Sequence, residues 1–257
     1  MAVLNGIHVL VTRPAHQGEN LSRLILQQGG IAIRLPTLEI RPVDDAEKIK
    51  AKLAVMDTFQ WLVFVSANAV TMHNYYLDGG RMPHPYGIRF AAIGAATAQA
   101  MALAGLPVDL VPEQGYSSED LLAMGQLQEI EGQSFLIVRG EGGREALATI
   151  LRNRGATVDY LDVYKRAIPA VDILEVLSLL AQGRLDAVTI TSGEALQNLL
   201  MMLGERYHQP LFAIKLIVVS DRIRQMAAEL GFKQIVVAAG PSDAAILEAV
   251  TKCLTGE

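Results

Sequence analysis

Residues 134–145 read Ser134-Phe-Leu-Ile-Val-Arg-Gly-Glu-Gly-Gly-Arg-Glu145, followed by a helix-like run to Arg154, then Gly155 and an extended run ending in Val163-Tyr164-Lys165-Arg166. The start of the chain is laid out the same way. His8-Val-Leu-Val-Thr-Arg13 matches Ser134-Phe-Leu-Ile-Val-Arg139, and Leu21, Gly29 and Leu35 match Leu147, Gly155 and Leu161. All share one offset of 126 residues, the step from 8 to 134. The same step carries Ser66 to Ser192, Ala69 to Ala195, Leu77 to Leu203, Gln99 to Gln225 and Gly105 to Gly231. A spacing held over half the chain reads as a duplicated α/β unit.

Each copy alternates strands and helices. Ile7–Thr12 and Trp61–Val65 are apolar runs too short for buried helices and read as buried parallel strands. Further strands are expected at 31–40, 90–93 and 108–111, and in the second copy near 134–138, 157–163, 186–190, 215–219 and 234–237. Helices are expected from about Gly18 to the Gly29-Gly30 pair, over 44–55, from Ser66 to about Leu77, and from Gly94 to Gly105. Ser117-Ser118-Glu119-Asp120 suits the start of another. Residues 78–86, with two Gly and two Pro, read as a loop. Five alternations per copy predict two flavodoxin-like parallel sheets, each covered on both faces.

Two chain arrangements fit the duplication. Each copy could fold alone, with a boundary near Glu131-Gly132. The runs 31–40 and 157–168 are too long for ordinary strands, however, and favour a crossed form. Residues 1–36 then join 168–257 in one discontinuous domain, 41–163 form the other, and 36–41 with 163–168 make a two-stranded neck.

Composition narrows the functional classes. The chain has 257 residues, and a hydrophobic share of 51% supports packed cores and argues against disorder. No apolar run reaches the ~18 residues of a membrane span. The opening residues carry no basic segment ahead of an apolar block, so no secretory signal is expected. One cysteine, Cys253, excludes an internal disulfide and fits the reducing cytoplasm. A formal net charge of −5 leaves no footprint for nucleic acid. The five histidines lack metal-ligand spacing, so no metal is expected. Gly140 and Gly142 begin a dinucleotide fingerprint, but Glu145 stands where its third glycine belongs, and no Walker sequence is present.

In parallel sheets ligands sit at the carboxyl ends of strands. Thr12, Arg13, Ser66, Ala67, Thr97, Arg139, Gly140, Arg144, Ser192, Gly193 and Ser220 fall at such ends. Most lead into helix N-termini, whose free amides suit carboxylate or phosphate. Taken singly, the same residues are ordinary helix caps. Arg144 has the chemistry to grip a carboxylate with two bonds, or to sit in solvent as a helix-start arginine. Tyr164 matches Leu38 in the first copy, so the duplication has diverged there. It reads either as a proton donor or as a packing aromatic. No Ser-His-Asp or Cys-His arrangement and no carboxylate pair stands out.

Val11-Thr-Arg-Pro14, Phe64-Val-Ser-Ala-Asn-Ala-Val70, Ile93-Gly-Ala-Ala-Thr-Ala98, Ser118-Glu-Asp-Leu-Leu122, Leu136-Ile-Val-Arg-Gly140, Val163-Tyr164 and Ile190-Thr-Ser-Gly193 complete the pattern. In this order and spacing they resemble the uroporphyrinogen-III synthase family of the bacterial type, over nearly the whole chain. The resemblance implies a monomeric enzyme of tetrapyrrole biosynthesis without metal or cofactor, in two α/β domains joined by a two-stranded neck. Its substrate would be the linear polycarboxylate hydroxymethylbilane. Its product would be uroporphyrinogen III, formed with loss of water and inversion of ring D through a spiro intermediate. Tyr164 falls on the family tyrosine that assists hydroxyl departure. Ser66, Thr97 and Ser192 fall on cleft hydroxyls, and Arg139-Gly140 on a cleft turn. Some members carry Gly-x-x-Thr twice, whereas here the second-half positions are Ser220 and Ile223. A two-lobed cytoplasmic binding or sensor protein without catalysis is the alternative from a different class.

Overall fold

The computed structural model describes residues 3–77, 87–113, 115, 117–143 and 145–256; Arg144 and the loop expected at 78–86 lie outside them. The strands are β1 (His8–Val11), β2 (Ile31–Arg34), β3 (Glu39–Arg41), β4 (Trp61–Phe64), β5 (Arg89–Ala92), β6 (Ser134–Gly140), β7 (Thr157–Ala167), β8 (Ala187–Ile190), β9 (Lys215–Val218) and β10 (Gln234–Val237). They form two sheets, ordered β10-β9-β8-β1-β2 and β3-β7-β6-β4-β5. In the first sheet every neighbour pair is parallel. Numbered along its own strands, its order is 2-1-3-4-5, that of doubly wound flavodoxin-like sheets. In the second, β5, β4, β6 and β7 are also parallel. The chain divides into two compact units, Met1–Glu39 with Ala167–Glu257, and Ile40–Arg166.

Alternation along the strands feeds both faces of each sheet. In the first unit Leu10, Val188, Ile190, Leu216 and Val218 join one apolar cluster, while Val9, Val11, Ala187 and Ile217 join another. In the second, Leu62, Phe64, Leu136 and Val138 face one cluster, and Trp61, Val63, Phe135 and Ile137 the other. Helices on both sides bury these faces, which is why the strands read as unbroken apolar runs.

The 126-residue step is geometric. It carries β1 and β2 onto the first four residues of β6 and β7, and β4 and β5 onto β8 and β9. The counterpart of β10 would be 108–111, and there the expected strand shrinks to one parallel bridge between Ala91 and Leu110. Asp109 is the cause. Its carboxylate accepts the Phe90 N–H at 2.7 Å, intercepting a donor that a ladder would use, and Pro107 and Pro112 bracket the run.

Two further expectations shift. The first helix begins at Ala15, not Gly18, because its first turn is polar and invisible to apolar spacing; it ends at Gln27, with Gly29 left-handed beyond it at φ 79°. The extended run 31–40 is cut by Pro36 into β2 and β3, which lie in different sheets. Between them Thr37 is tied down: its N–H donates to the Thr12 carbonyl at 3.1 Å, and its carbonyl accepts from Asn198 Nδ2 at 2.8 Å. Among the described residues, no helix is long and apolar enough to cross a membrane.

His73 is a buried polar group with an acid-side consequence. It lies on the helix Ala67–Tyr76, edge-on to Phe64, and its Nε2 has no hydrogen-bond partner among the described residues. Burial pushes its pKa below the ordinary value, against a smaller opposite effect of the Asn74 hydrogen bond. The folded state therefore binds fewer protons than the unfolded chain near pH ~6.5. Stability from this group is present above that pH and is lost as pH falls through it toward the folded-state value. One such group changes stability by at most ~1.4 kcal/mol per pH unit. A series of melts from about pH 7.5 to about pH 5 is expected to decline, and His73→Leu to flatten that decline. An unchanged slope in the variant would remove His73 from the acid response.

Candidate active site

The site starts from an irregularity. β6 and β7 run in register from Ser134 opposite Thr157 to Arg139 opposite Asp162, after which Gly140 faces Tyr164, so Val163 is the extra residue of a bulge. The bulge breaks the alternation, and Val163 and Tyr164 are both buried. The Tyr164 carbonyl accepts the Glu141 N–H at 2.8 Å, which fixes the backbone just past the bulge. The ring lies where the side chain of residue 140 would be. A Cβ on Gly140 would stand 2.5 Å from Cε2 and 2.6 Å from Cζ of Tyr164, so the ring is seated only because residue 140 is glycine.

The phenol oxygen is 3.2 Å from Ser66 Oγ. Ser66 is the N-cap of the helix Ala67–Tyr76, and its Oγ accepts the Ala69 N–H at 3.0 Å. Both residues line a pocket of ≈ 300 Å³, with Ser117, Ser118, Arg139 and Arg166 as polar neighbours and Val65, Ile93, Ile137 and Leu147 as apolar wall. Ser117 caps the short helix Ser118–Leu122 in a reciprocal box with Asp120. The Arg166 guanidinium stands 5.7 Å from the centre of the Tyr164 ring.

Arg139 lines this pocket with its charge already engaged. Nε donates to Asp162 at 2.9 Å, and one terminal nitrogen donates to Glu145 at 2.8 Å and to the Gly143 carbonyl at 3.2 Å. Its guanidinium lies 3.6 Å from the centre of the Tyr160 ring. Burial works against the charge, but the bonds to Glu145 and Asp162 outweigh it and push the Arg139 pKa up. Hydrogen bonds from Tyr160 and then Arg139 hold the Glu145 carboxyl below its usual range. Arg139 thus pins the turn after β6. Nothing in residue-by-residue reading points to Asp162, Glu145 and Tyr160, because their partnership exists only once β6 and β7 pair.

The remaining sequence-derived positions divide between the units. In Ile40–Arg166, Ala67 is the first helical residue after Ser66, and Thr97 is buried in the first turn of the helix Ala95–Leu103 behind Gly94. In the other unit, Thr12 is fully buried, and its hydroxyl donates to the Thr189 carbonyl at 2.7 Å, joining β1 to β8. Arg13 pairs with Asp243, which Asn20 also contacts at 2.6 Å. Ser192 caps the helix Gly193–Leu203 by accepting the Ala195 N–H at 3.0 Å, as Ser66 does at the matching position. Gly193 packs against Met226, whose Sδ would be 2.9 Å from an added Cβ. Ser220 caps Asp221–Leu230 through the Ile223 N–H at 3.4 Å. Among the described residues, no three His, Cys, Asp or Glu side chains converge to hold a metal ion.

Ser192 separates a side-chain role from a backbone one. Ser192→Ala removes the cap bond, a loss of ~1 kcal/mol in stability, but keeps the helix-start amides. Ser192→Pro demands φ near about −65°, whereas Ser192 sits at −150°. If those amides hold ligand, turnover falls modestly in the alanine variant and far more in a folded proline variant. Equal losses would point away from the amides.

The carboxyl ends of parallel strands, where helix N-termini present free amides, are where α/β proteins take small anionic molecules, and both sheets here have that construction. The chain is thus of the class of doubly wound α/β proteins. A family model described as Uroporphyrinogen-III synthase HemD matches residues 19–248, and the chain belongs to this family. It is 32% identical over 243 residues to uroporphyrinogen-III synthase of Escherichia coli (strain K12), covering 94% of this chain and 99% of that one. With the Proteus mirabilis enzyme of the same name it shares 37% identity over 158 residues, 62% of this chain and 79% of the other. A crystal structure of a mutant uroporphyrinogen III synthase from the extremely thermophilic bacterium Thermus thermophilus superposes with a TM-score of 0.68 at 18% identity, over 98% of this chain and 100% of that one, and so has the same fold.

Proposed function

We propose that this chain converts hydroxymethylbilane to uroporphyrinogen III, with Tyr164 as the proton donor to the departing hydroxyl. The family match over residues 19–248 carries this reading. The buried phenol at the pocket supplies the chemistry. The C–O bond of the hydroxymethyl group breaks, the lone pair of the adjoining pyrrole nitrogen fills the deficit, and the phenol's proton leaves with the hydroxyl as water. The far pyrrole attacks the electrophilic carbon through its substituted α-carbon, which carries no hydrogen, and the phenolate regains a proton only at final closure, from the free α-carbon that bonds last. Closure follows rearrangement through a spiro intermediate, which inverts ring D. A volume of ≈ 300 Å³ is at the low end for ligand pockets, ~300–1,000 Å³, and suits one substituted ring of the substrate.

The carboxylates are held by helix-start amides at Ser66-Ala67, Ser192-Gly193 and Ser220, helped by the Thr97 hydroxyl and Arg144, while Arg139-Gly140 shapes the turn after β6, Arg13 is held by Asp243, and Thr12 fixes the β1 turn. Folding the flexible chain into a near-attack shape then supplies much of the acceleration, which suits a site poor in acids and bases. The two units descend from one duplicated unit, a reading supported by strand positions that repeat at 126 residues. Residues 36–41 and 163–168 are the two connecting strands of a neck that joins the discontinuous unit to the continuous one. The enzyme works as a cytoplasmic monomer and needs neither metal nor cofactor. A binding protein without chemistry could share this fold, but the relatives' names favour catalysis. Incubation with enzymatically made hydroxymethylbilane, followed by separation of uroporphyrinogen isomers I and III, decides between them. Isomer I alone would refute the proposal.

A further inference from the structure

Ser66 and Ser192 cap matching helices, yet of the two, Ser66 alone contacts a phenol among the described residues. Ser66 Oγ is 3.2 Å from the Tyr164 phenol oxygen, whereas Leu38 stands at the position in the other half that matches Tyr164. We propose that Ser66 is a positioning residue that aims the Tyr164 proton into the pocket, rather than a hydroxyl that binds a substrate carboxylate.

Donor counting leads there. A serine hydroxyl has one proton and two lone pairs, and a phenol has one proton. The Ala69 N–H occupies one lone pair of Ser66 Oγ at 3.0 Å. The contact with Tyr164 can then be made in two ways. If the phenol donates to Ser66, its only proton points away from the substrate. If Ser66 donates to the phenol, the phenolic proton is free for the leaving hydroxyl. The second arrangement gives a directed run: the Ala69 N–H donates to Ser66 Oγ, Ser66 O–H to the Tyr164 oxygen, and Tyr164 O–H to the substrate. Bonds aligned this way strengthen one another. When the phenol gives up its proton, the negative oxygen already holds the Ser66 donor and faces the positive end of the helix Ala67–Tyr76. The benefit therefore appears in the transition state and not in binding.

This inference rests on the reading of Tyr164 as the acid, and the test separates the two. Ser66→Ala and Ser66→Gly both remove the hydroxyl; glycine is well tolerated at an N-cap, so it serves if alanine impairs folding. Initial rates of isomer III formation are expected to show kcat lowered roughly tenfold in either variant, the scale of one hydrogen bond, with KM unchanged. Ser66→Thr, which keeps hydroxyl and cap, restores kcat. In a Tyr164→Phe background Ser66→Gly costs nothing more, because no proton is left to aim. A raised KM with kcat intact, or an equal loss in both backgrounds, overturns the role of Ser66 while leaving Tyr164 as the acid. A Tyr164→Phe enzyme with full activity overturns both.

Discussion

Tyr164→Phe lowers the initial rate of isomer III formation by ~10²–10⁴-fold, the range that a positioned general acid contributes. The variant keeps the ring, and with it the packing on Gly140, so it loses only the hydroxyl and its 3.2 Å contact with Ser66. That contact accounts for ~0.5–1.5 kcal/mol of stability, too little to unfold a domain. The loss of rate stays incomplete for a chemical reason. Expelling hydroxide next to an electron-rich pyrrole needs little acid strength, and the folded pose of the substrate persists. The rate must be corrected for spontaneous closure to isomer I and measured beside a thermal melt. A folded variant with near wild-type rate would reduce Tyr164 to a packing residue.

Gly140→Ala acts on the same phenol from the opposite side. A methyl group would have to occupy a point 2.5–2.6 Å from two carbons of a ring that is itself buried. The aromatic ring cannot bend, so either it swings out or the β6–β7 ladder opens. Overpacking of this kind costs ~1–3 kcal/mol, which a melt will register. The rate effect is larger, because displacing a reacting group by about 1 Å can cost ~10²-fold. Isomer III formation should drop by about that factor in protein that is still folded at the assay temperature. Normal kinetics in a folded Gly140→Ala enzyme would mean that the phenol's position is unimportant.

Sequence spacing finds the strands because apolar runs bounded by glycine and proline are local signals. The 126-residue step even locates β4 from β8 and β5 from β9 to the residue. It misleads at 108–111, where the Asp109 carboxylate takes the Phe90 N–H, a contact between positions 19 residues apart that spacing cannot show. The site is legible only as a set of candidates. Tyr164 stands out by its mismatch with Leu38, but the bulge that aims it depends on the register of two paired strands. Arg139 reads only as a strand-end residue on a turn, because Asp162, which takes its Nε, lies 23 residues away on the paired strand. Ser66 and Ser192 read alike because a cap is local, whereas a neighbour 98 residues away is not.

One unit is an uninterrupted span, Ile40–Arg166, while the other is assembled from the two ends of the chain. β1 lies inside its sheet between β2 and β8, yet β8 begins only at Ala187. On the ribosome, the segment carrying Val9, Leu10 and Val11 must therefore wait while the chain grows by 176 residues, from 11 to 187, before its second edge is covered. At ~5–20 residues per second that is roughly ten to thirty seconds, during which the continuous unit has time to form. The order of synthesis thus makes the first-made segment among the last to be buried. It leaves a nascent apolar strand exposed for aggregation or chaperone capture, and a chain truncated before Ala187 would keep it exposed permanently.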